Sequence, residues 1–344
     1  TTPAAGTTLP PPAKSRKKIK AVALAIVLAV LILGAGSAAA YVGYYLPNKP
    51  ENVLGKALVN TFSKDVTSVA FEGELSAEDK NGKAAAGAST FSGATAASGA
   101  FQLKADVDLL VTTISADLRS TDGKSLFVKV GGLKGLDGML GESESMYGPL
   151  IQQVDNQWFE VNESLIKQAT QNKLDTKLSD ADRQKLTDAY KAHQFLVVTD
   201  ALSGQSIKGV ACYHYKLGID KTELKAFAKA VKDAKVETLK LDDTDLSRFN
   251  KEVGSANFNR VKTDIWITKN DKKIKQLLAT GTEDNQTYAL RFTIIDYNKQ
   301  VKVDKPSGAK SIMELLGPIL GSDAEDSTTT QTLMNDVQGL STVR

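Results

Sequence analysis

Cysteine is all but missing from this chain of 344 residues, which carries only Cys212. A single thiol excludes an internal disulfide framework and a multi-cysteine zinc site. Histidine is nearly as scarce, with His193 and His214 alone, so the side chain most used for acid–base work and metal binding is hardly present. Charge of one sign is lacking too. The formal net charge is +3, and part of that excess sits in Lys14, Arg16, Lys17, Lys18 and Lys20. The remainder is close to neutral, which argues against a nucleic-acid binder working through a basic surface. Nor does the chain contain a phosphate-cradling glycine loop, a nucleophile elbow or a zinc-protease motif. These absences imply no cofactor, no metal site and no enzyme.

Two short runs resemble chemistry and are better read as structure. Cys212 and His214 stand two apart, on one face of an expected strand, where a thiolate–imidazole pair or half a metal site needs them. No third ligand or orienting group is near in sequence, so the ordinary reading is a buried thiol beside a strand histidine. Asp242-Asp243-Thr244-Asp245 resembles the opening of a calcium loop but lacks the glycine and terminal glutamate of one. A solvated helix start is the expectation there.

What the chain does possess is one long apolar run. Residues 21–46 contain no charged side chain. As a helix the run is ~39 Å long, enough to cross a ~30 Å hydrocarbon core with some tilt. The basic cluster on its N-terminal flank places that end in the cytoplasm, and Tyr41, Tyr44 and Tyr45 stand where an aromatic belt belongs. The expected organisation is a disordered cytoplasmic tail (1–18), a transmembrane helix acting as signal anchor (19–46), a stalk (47–50), an extracytoplasmic domain (51–320) and a disordered tail (321–344). The localisation that follows is a single-pass cytoplasmic-membrane protein with its N-terminus inside. The alternative is a secretory signal peptide cleaved near Ser37-Ala38-Ala39-Ala40, which releases a soluble carrier.

Beyond Pro50 the hydrophobic period alternates between helix and strand. Val53, Leu54, Ala57, Leu58 and Phe62 recur at helical spacing over 51–64. Val69, Phe71 and Leu75 then begin a strand that ends at an Asn81-Gly82 turn. Residues 84–100 are small and low in complexity, either a flexible loop or weakly specified strands. In 101–118, Phe101, Leu103, Ala105, Val107, Leu109 and Val111 share one face; the phase then slips to Ile114, Ala116 and Leu118. Such a slip marks a β-bulge or a hairpin turn. Further strands are expected at 125–130, 195–200, 210–219, 260–268, 273–280 and 287–296, with a short edge strand at 299–303. Helices are expected within 162–194, restarting at Ser179-Asp180, and at 221–236. The glycine-rich stretch 131–150 reads as a loose lid or as a loop whose apolar residues plug the core. Helix, strands, helices, strand, helix, strands is an α+β order rather than an alternating α/β one.

The C-terminal half carries a more specific pattern. Tyr213-His214-Tyr215 leads into Leu217-Gly218-Ile219-Asp220 and a lysine-rich helix. Thr263-Asp264-Ile265-Trp266-Ile267, Lys273-Ile274, Asp296-Tyr297-Asn298 and Val301-Lys302-Val303-Asp304-Lys305-Pro306 follow. Together with Gln157-Trp158-Phe159-Glu160-Val161 and the 51–64 helix running into Val69-Phe71-Gly73, this layout resembles the LolA/LppX-like superfamily of extracytoplasmic lipoprotein carriers, and most closely its LppX/LprG type. The resemblance covers most of 51–310 through spaced apolar and aromatic positions. It implies a curved antiparallel half-barrel wrapped over helices, with an apolar cavity between them for acyl chains or a lipidated partner. This chain departs from that type in having an apolar run where those proteins carry a lipobox cysteine.

Such a cavity needs a concave apolar wall and few fixed polar groups, because burial supplies ~0.8 kcal/mol per CH₂. Leu103, Val107 and Leu109 on the slipping strand, Leu136, Met139, Leu140 and Met146 in the lid-like stretch, and Trp266 and Phe292 on the late strands are the candidate lining. Any one of them equally fits an ordinary core. Two functions therefore stand side by side. One is a membrane-anchored binding protein for a lipid or acyl-chain ligand. The other is a surface interaction or structural module with a filled core, engaging an envelope protein partner.

Overall fold

The computed structural model describes residues 49–315 apart from 64, 80–83, 110–111, 137–143, 166–178, 237–238, 240 and 284–285. The expected anchor at 19–46, the tails at 1–18 and 321–344 and the Asn81-Gly82 turn lie outside these residues. No described helix is long and apolar enough to cross a membrane.

Among the described residues twelve strands form a single curved, unclosed sheet. In chain order they are β1 (Ser68–Asp79), β2 (Ala84–Ala96), β3 (Phe101–Asp108), β4 (Thr113–Ser120), β5 (Leu126–Gly131) and β6 (Trp158–Val161), followed by β7 (Leu196–Ile207), β8 (Val210–Ile219), β9 (Val261–Thr268), β10 (Ile274–Glu283), β11 (Gln286–Tyr297) and β12 (Lys310–Ser311). The order across the sheet is β12-β6-β5-β4-β3-β2-β1-β11-β10-β9-β8-β7. The β12–β6 pair is parallel and all others are antiparallel. Among the described residues five α-helices accompany it: α1 (Pro50–Phe62), α2 (Glu144–Val154), α3 (Asp180–Ala192), α4 (Lys221–Asp233) and α5 (Asp243–Ser255). The architecture is α+β with a mixed sheet.

Local chemistry sets the helix ends. Ser179 accepts from the Asp182 N–H to start α3, and Asp220 accepts from the Thr222 and Glu223 N–H groups to start α4. Asp242 and Asp245 exchange side-chain and backbone bonds in a capping box that opens α5, so the acidic run is a helix start. Leu224, Phe227, Ala228 and Val231 give α4 one buried stripe.

The main core lies between one sheet face and α1, α3, α4 and α5. It gathers Val53, Leu58 and Phe62 of α1, Leu224 and Phe227 of α4 and Val253 of α5 against Tyr215, Ile265, Ile267, Leu277, Phe292 and Ile294. Tyr190, Phe195 and Phe227 meet edge-on or tilted, with centroids 5.1–6.3 Å apart. Those strand residues belong to β8–β11; on this face β3–β6 lie beyond the cluster.

Several sequence expectations take definite form. The low-complexity stretch is strand β2, paired on both sides. The phase slip is a hairpin turn, closed by Leu109 N–H donating to the Thr112 carbonyl at 2.8 Å. The strand expected at 195–200 runs on to Ile207 and turns back through Lys208 and Gly209, both at positive φ. The edge strand expected at 299–303 does not form. β11 is already paired with β1 and β10, so a strand leaving it has no free edge beside it. Asn298, at φ 61°, turns the chain away instead. The segment then crosses to β5–β6, where Lys305 lies 5.1 Å from the Phe127 ring and 3.4 Å from Glu160.

Candidate ligand-binding site

Cross-strand register carries an apolar row from the core out to the far edge. Phe71, Gly93, Leu103, Leu118, Val128 and Phe159 are successive Cα partners across β1–β6 and share the helix-bearing face. A second row takes Leu75 and Ser89 to Val107 and Ile114. Phe71 packs on the main core. Leu103, Ile114, Leu118 and Val128 are half-buried. Val107 is 38% exposed, and Leu109, just past β3, is 41% exposed. The face therefore grades from core to open apolar surface along β3 and β4.

Beside this end, residues 132–136 and 144–155 are pinned where they meet. Val130 and Asp155 form a bridge, and the Asn156 N–H donates to the Val130 carbonyl at 2.7 Å. Asp155 Oδ1 accepts from the Leu133 N–H at 2.9 Å, and its other oxygen lies 4.0 Å from the Lys134 ammonium. Thr112 Oγ1 donates to the Gly132 carbonyl at 3.3 Å, fixing the segment to the β3–β4 turn. Between the pins stand a 3₁₀ turn, Leu133–Leu136, and α2.

Leu103, Val107, Leu109 and Leu136 are thus brought to one end of the molecule; Leu136 is half-buried in the 3₁₀ turn. Met139, Leu140 and the side chain of Met146 lie outside the described residues. Phe292 is on the same sheet face as Leu103 but inside the main core, 9% exposed and stacked on Phe71 at 5.3 Å. Trp266 is on the other face. Its neighbours Ile265 and Ile267 point into the core, so strand alternation turns Trp266 away from it. There it stacks on His214 at 4.2 Å and donates through Nε1 to Gln205 Oε1 at 3.0 Å. Sequence reading missed Ile114, Leu118 and Val128 as neighbours of Leu103; the strand alternation held the signal, but the register that joins the strands did not.

The opposite face carries polar chemistry. His214 Nε2 is 2.7 Å from Asp264 Oδ1, and both are largely buried. Cys212 is fully buried and donates to the Val210 carbonyl at 3.3 Å; burial pushes its thiol pKa up. His214 is thereby engaged by Asp264 and Trp266, and the thiol by backbone, which is not the geometry of an activated nucleophile. Among the described residues no three His, Cys, Asp or Glu side chains cluster as metal ligands do. Also on this face is a groove of about 340 Å³ lined by Glu72, Glu74, Thr90, Ser92, Lys104, Asp106, Arg291 and Thr293.

No protein-family model matches the chain, and no curated protein matches it. Among solved structures it is similar to the Mycobacterium tuberculosis lipoprotein LppX, at 13% identity and TM-score 0.35 over 74% of this chain and 100% of that one. It is also similar to LprF from Mycobacterium bovis, at 12% identity and TM-score 0.38 over 76% of this chain and 98% of that one. A LolA superfamily protein from Nitrosomonas europaea matches at 8% identity and TM-score 0.20 over 74% of this chain and 94% of that one.

Proposed function

We propose that this chain is a non-catalytic binding protein for a lipid or acyl-chain ligand, seated on the helix-bearing face of β3–β5 beside the 3₁₀ turn Leu133–Leu136. One observation carries the reading. The apolar rows through Leu103, Leu118 and Val128 and through Val107 and Ile114 continue past the helix-packed core and stay half-buried to exposed beside a loop pinned at Asp155. An apolar chain laid along those rows gains ~0.8 kcal/mol for each CH₂ it buries, so about ten methylenes suffice for useful affinity without any fixed polar contact. We place the domain on the outer side of the cytoplasmic membrane, held by the apolar run 19–46.

The test is native mass spectrometry of the full chain, extracted from membranes in detergent, together with uptake of a fluorescent fatty acid. Co-purified lipid and saturable uptake that falls in Leu118→Asp support the reading. No lipid and no uptake favour a filled-core interaction module. N-terminal sequencing of the membrane-extracted protein decides the anchor: a start near Tyr41 means cleavage.

A further inference from the structure

The groove on the face away from the helices has a charge arrangement that the fold does not use. Two transverse rows cross it. Arg291, Glu74, Thr90 and Asp106 are successive partners across β11, β1, β2 and β3, and so are Thr293, Glu72, Ser92 and Lys104. The floor is hydroxylated by Thr90 and Ser92, short side chains between longer ones on either wall. Glu74 and Arg291 stand directly opposite on paired strands, and Lys104 and Asp106 lie two apart on one strand face. Among the described residues, none of these four charges is engaged in an ion pair. Two cations and two anions therefore remain open around the hydroxyls of Thr90 and Ser92, while Thr293 is buried and donates to Gln276 Oε1 at 3.1 Å.

The fifth charge of the groove, Glu72, is occupied from afar. Lys208, at the tip of the β7–β8 hairpin, reaches Glu72 Oε1 at 2.5 Å. In the sheet β9, β10 and β11 separate β8 from β1, so the hairpin tip must fold back across this face. Register shifts at Val198/Asp200 and Leu202/Gln205 let β7 bend. The Trp266–Gln205 bond and the Lys208–Glu72 pair hold the fold-over down. Both members of that pair are well exposed, and an exposed ion pair is weak.

We infer that this groove is a binding site for a small zwitterion carrying an ammonium and a phosphate group, and that the Lys208 ammonium occupies the ligand's ammonium position in the free protein. Arg291, with its planar fork, takes the phosphate, helped by Lys104. Glu72 and Glu74 take the ammonium once Lys208 is displaced, and Thr90 and Ser92 fill the remaining hydrogen bonds. Displacing Lys208 loosens the hairpin tip and uncovers Trp266. The site is on the sheet face opposite the proposed acyl surface and does not depend on it.

The experiment is isothermal titration of the full chain in dodecyl maltoside with phosphorylethanolamine. Vesicles containing phosphatidylethanolamine form a second arm, separating a lipid headgroup from a free zwitterion. Saturable binding in either arm is expected. It should weaken on the order of tenfold in Arg291→Gln and in Glu74→Gln, the size of one lost charge-assisted contact. Lys208→Ala should tighten binding several-fold, because its competitor is gone. In a Trp158→Phe background, acrylamide quenching of Trp266 should rise as ligand is added. No saturable binding in either arm overturns the proposal. So does equal binding of inorganic phosphate or ethanolamine alone, or unchanged affinity in both the Arg291 and Glu74 variants. A Lys208→Ala protein that binds no tighter overturns the assigned role of Lys208.

Discussion

The ring of Phe71 lies over Gly93, its direct partner on the neighbouring strand, so that a Cβ at position 93 would stand 2.8 Å from the ring. The relation is reciprocal: Phe91 lies over Gly73, which is its own partner. Two glycines thus seat two phenylalanines at the point where the apolar row leaves the main core, and Phe292 stacks against Phe71 at 5.3 Å. A Cβ at 93 would also crowd the Gln102 carbonyl of β3, which is backbone and cannot swing aside. Gly93→Ala should therefore destabilise the domain by about 1–3 kcal/mol, the usual cost of overpacking. Urea unfolding checks this, and an unchanged midpoint would show that β2 and β3 separate easily.

The start of α4 depends on one side chain. Asp220 Oδ1 accepts from the Thr222 N–H at 2.8 Å and from the Glu223 N–H at 3.1 Å. Removing it orphans both donors at the head of the helix that carries Leu224, Phe227 and Val231 into the core. Asp220→Ala should lower stability by ~1 kcal/mol and Asp220→Asn by less, since Asn caps nearly as well. Thermal unfolding of the two variants side by side is the measurement. Equal losses would mean that carboxylate charge, not the cap bond, does the stabilising.

How far the sequence speaks differs from element to element. The stripe of α4 and the alternation of β9 and β11 are visible because each is strongly periodic and one-sided. The far half of β7 is not, since Ala201 to Ile207 is polar, bulged and mostly exposed, with little apolar alternation to read. β2 stays ambiguous for another reason: its small residues suit a loop, and they prove to be needed only once Phe71 is known to face Gly93. Period two tells which residues of one strand share a face, but register alone tells which strands agree. That is why Leu103 and Phe292 share one face of the sheet, while Trp266, one residue from two core isoleucines, stands on the far side.

Cys212 offers a direct check of that far side. Its side chain is fully buried, and burial raises its thiol pKa, so both access and thiolate fraction are low. A thiol-reactive disulfide reagent should label the native protein very slowly and the guanidinium-unfolded protein at once. Fast native labelling would mean that the β7–β8 hairpin lifts readily from this face. Lys208→Ala should accelerate labelling modestly, because it releases one of the two contacts that hold the tip down.

Val107 tests the apolar face without touching the core. At 38% exposure it can be replaced with little loss of packing, so Val107→Lys should shift the unfolding midpoint within the small range of surface changes, about 0.5 kcal/mol. Fatty-acid uptake should fall several-fold all the same, because the row it shares with Ile114 would then hold a charge. Unchanged uptake would move the ligand off β3.

Tyr190 makes the alkaline limb of stability readable. Its phenol packs between Phe195 and Phe227, and burial holds its pKa well above the ordinary value of about 10. The folded protein therefore keeps that proton at a pH where the unfolded chain has lost it. Stability linked to this group is fully present below about pH 10 and declines as pH rises beyond it, since unfolding then releases a proton. Tyr215, pushed up to about 12 chiefly by burial, acts in the same direction. In urea unfolding at rising alkaline pH, Tyr190→Phe should match the parent near neutrality and lose stability less steeply above pH 10. Lysine titration contributes equally to both proteins and cancels in the difference. Parallel slopes would place the Tyr190 hydroxyl in contact with water and remove the phenol from the core's electrostatics.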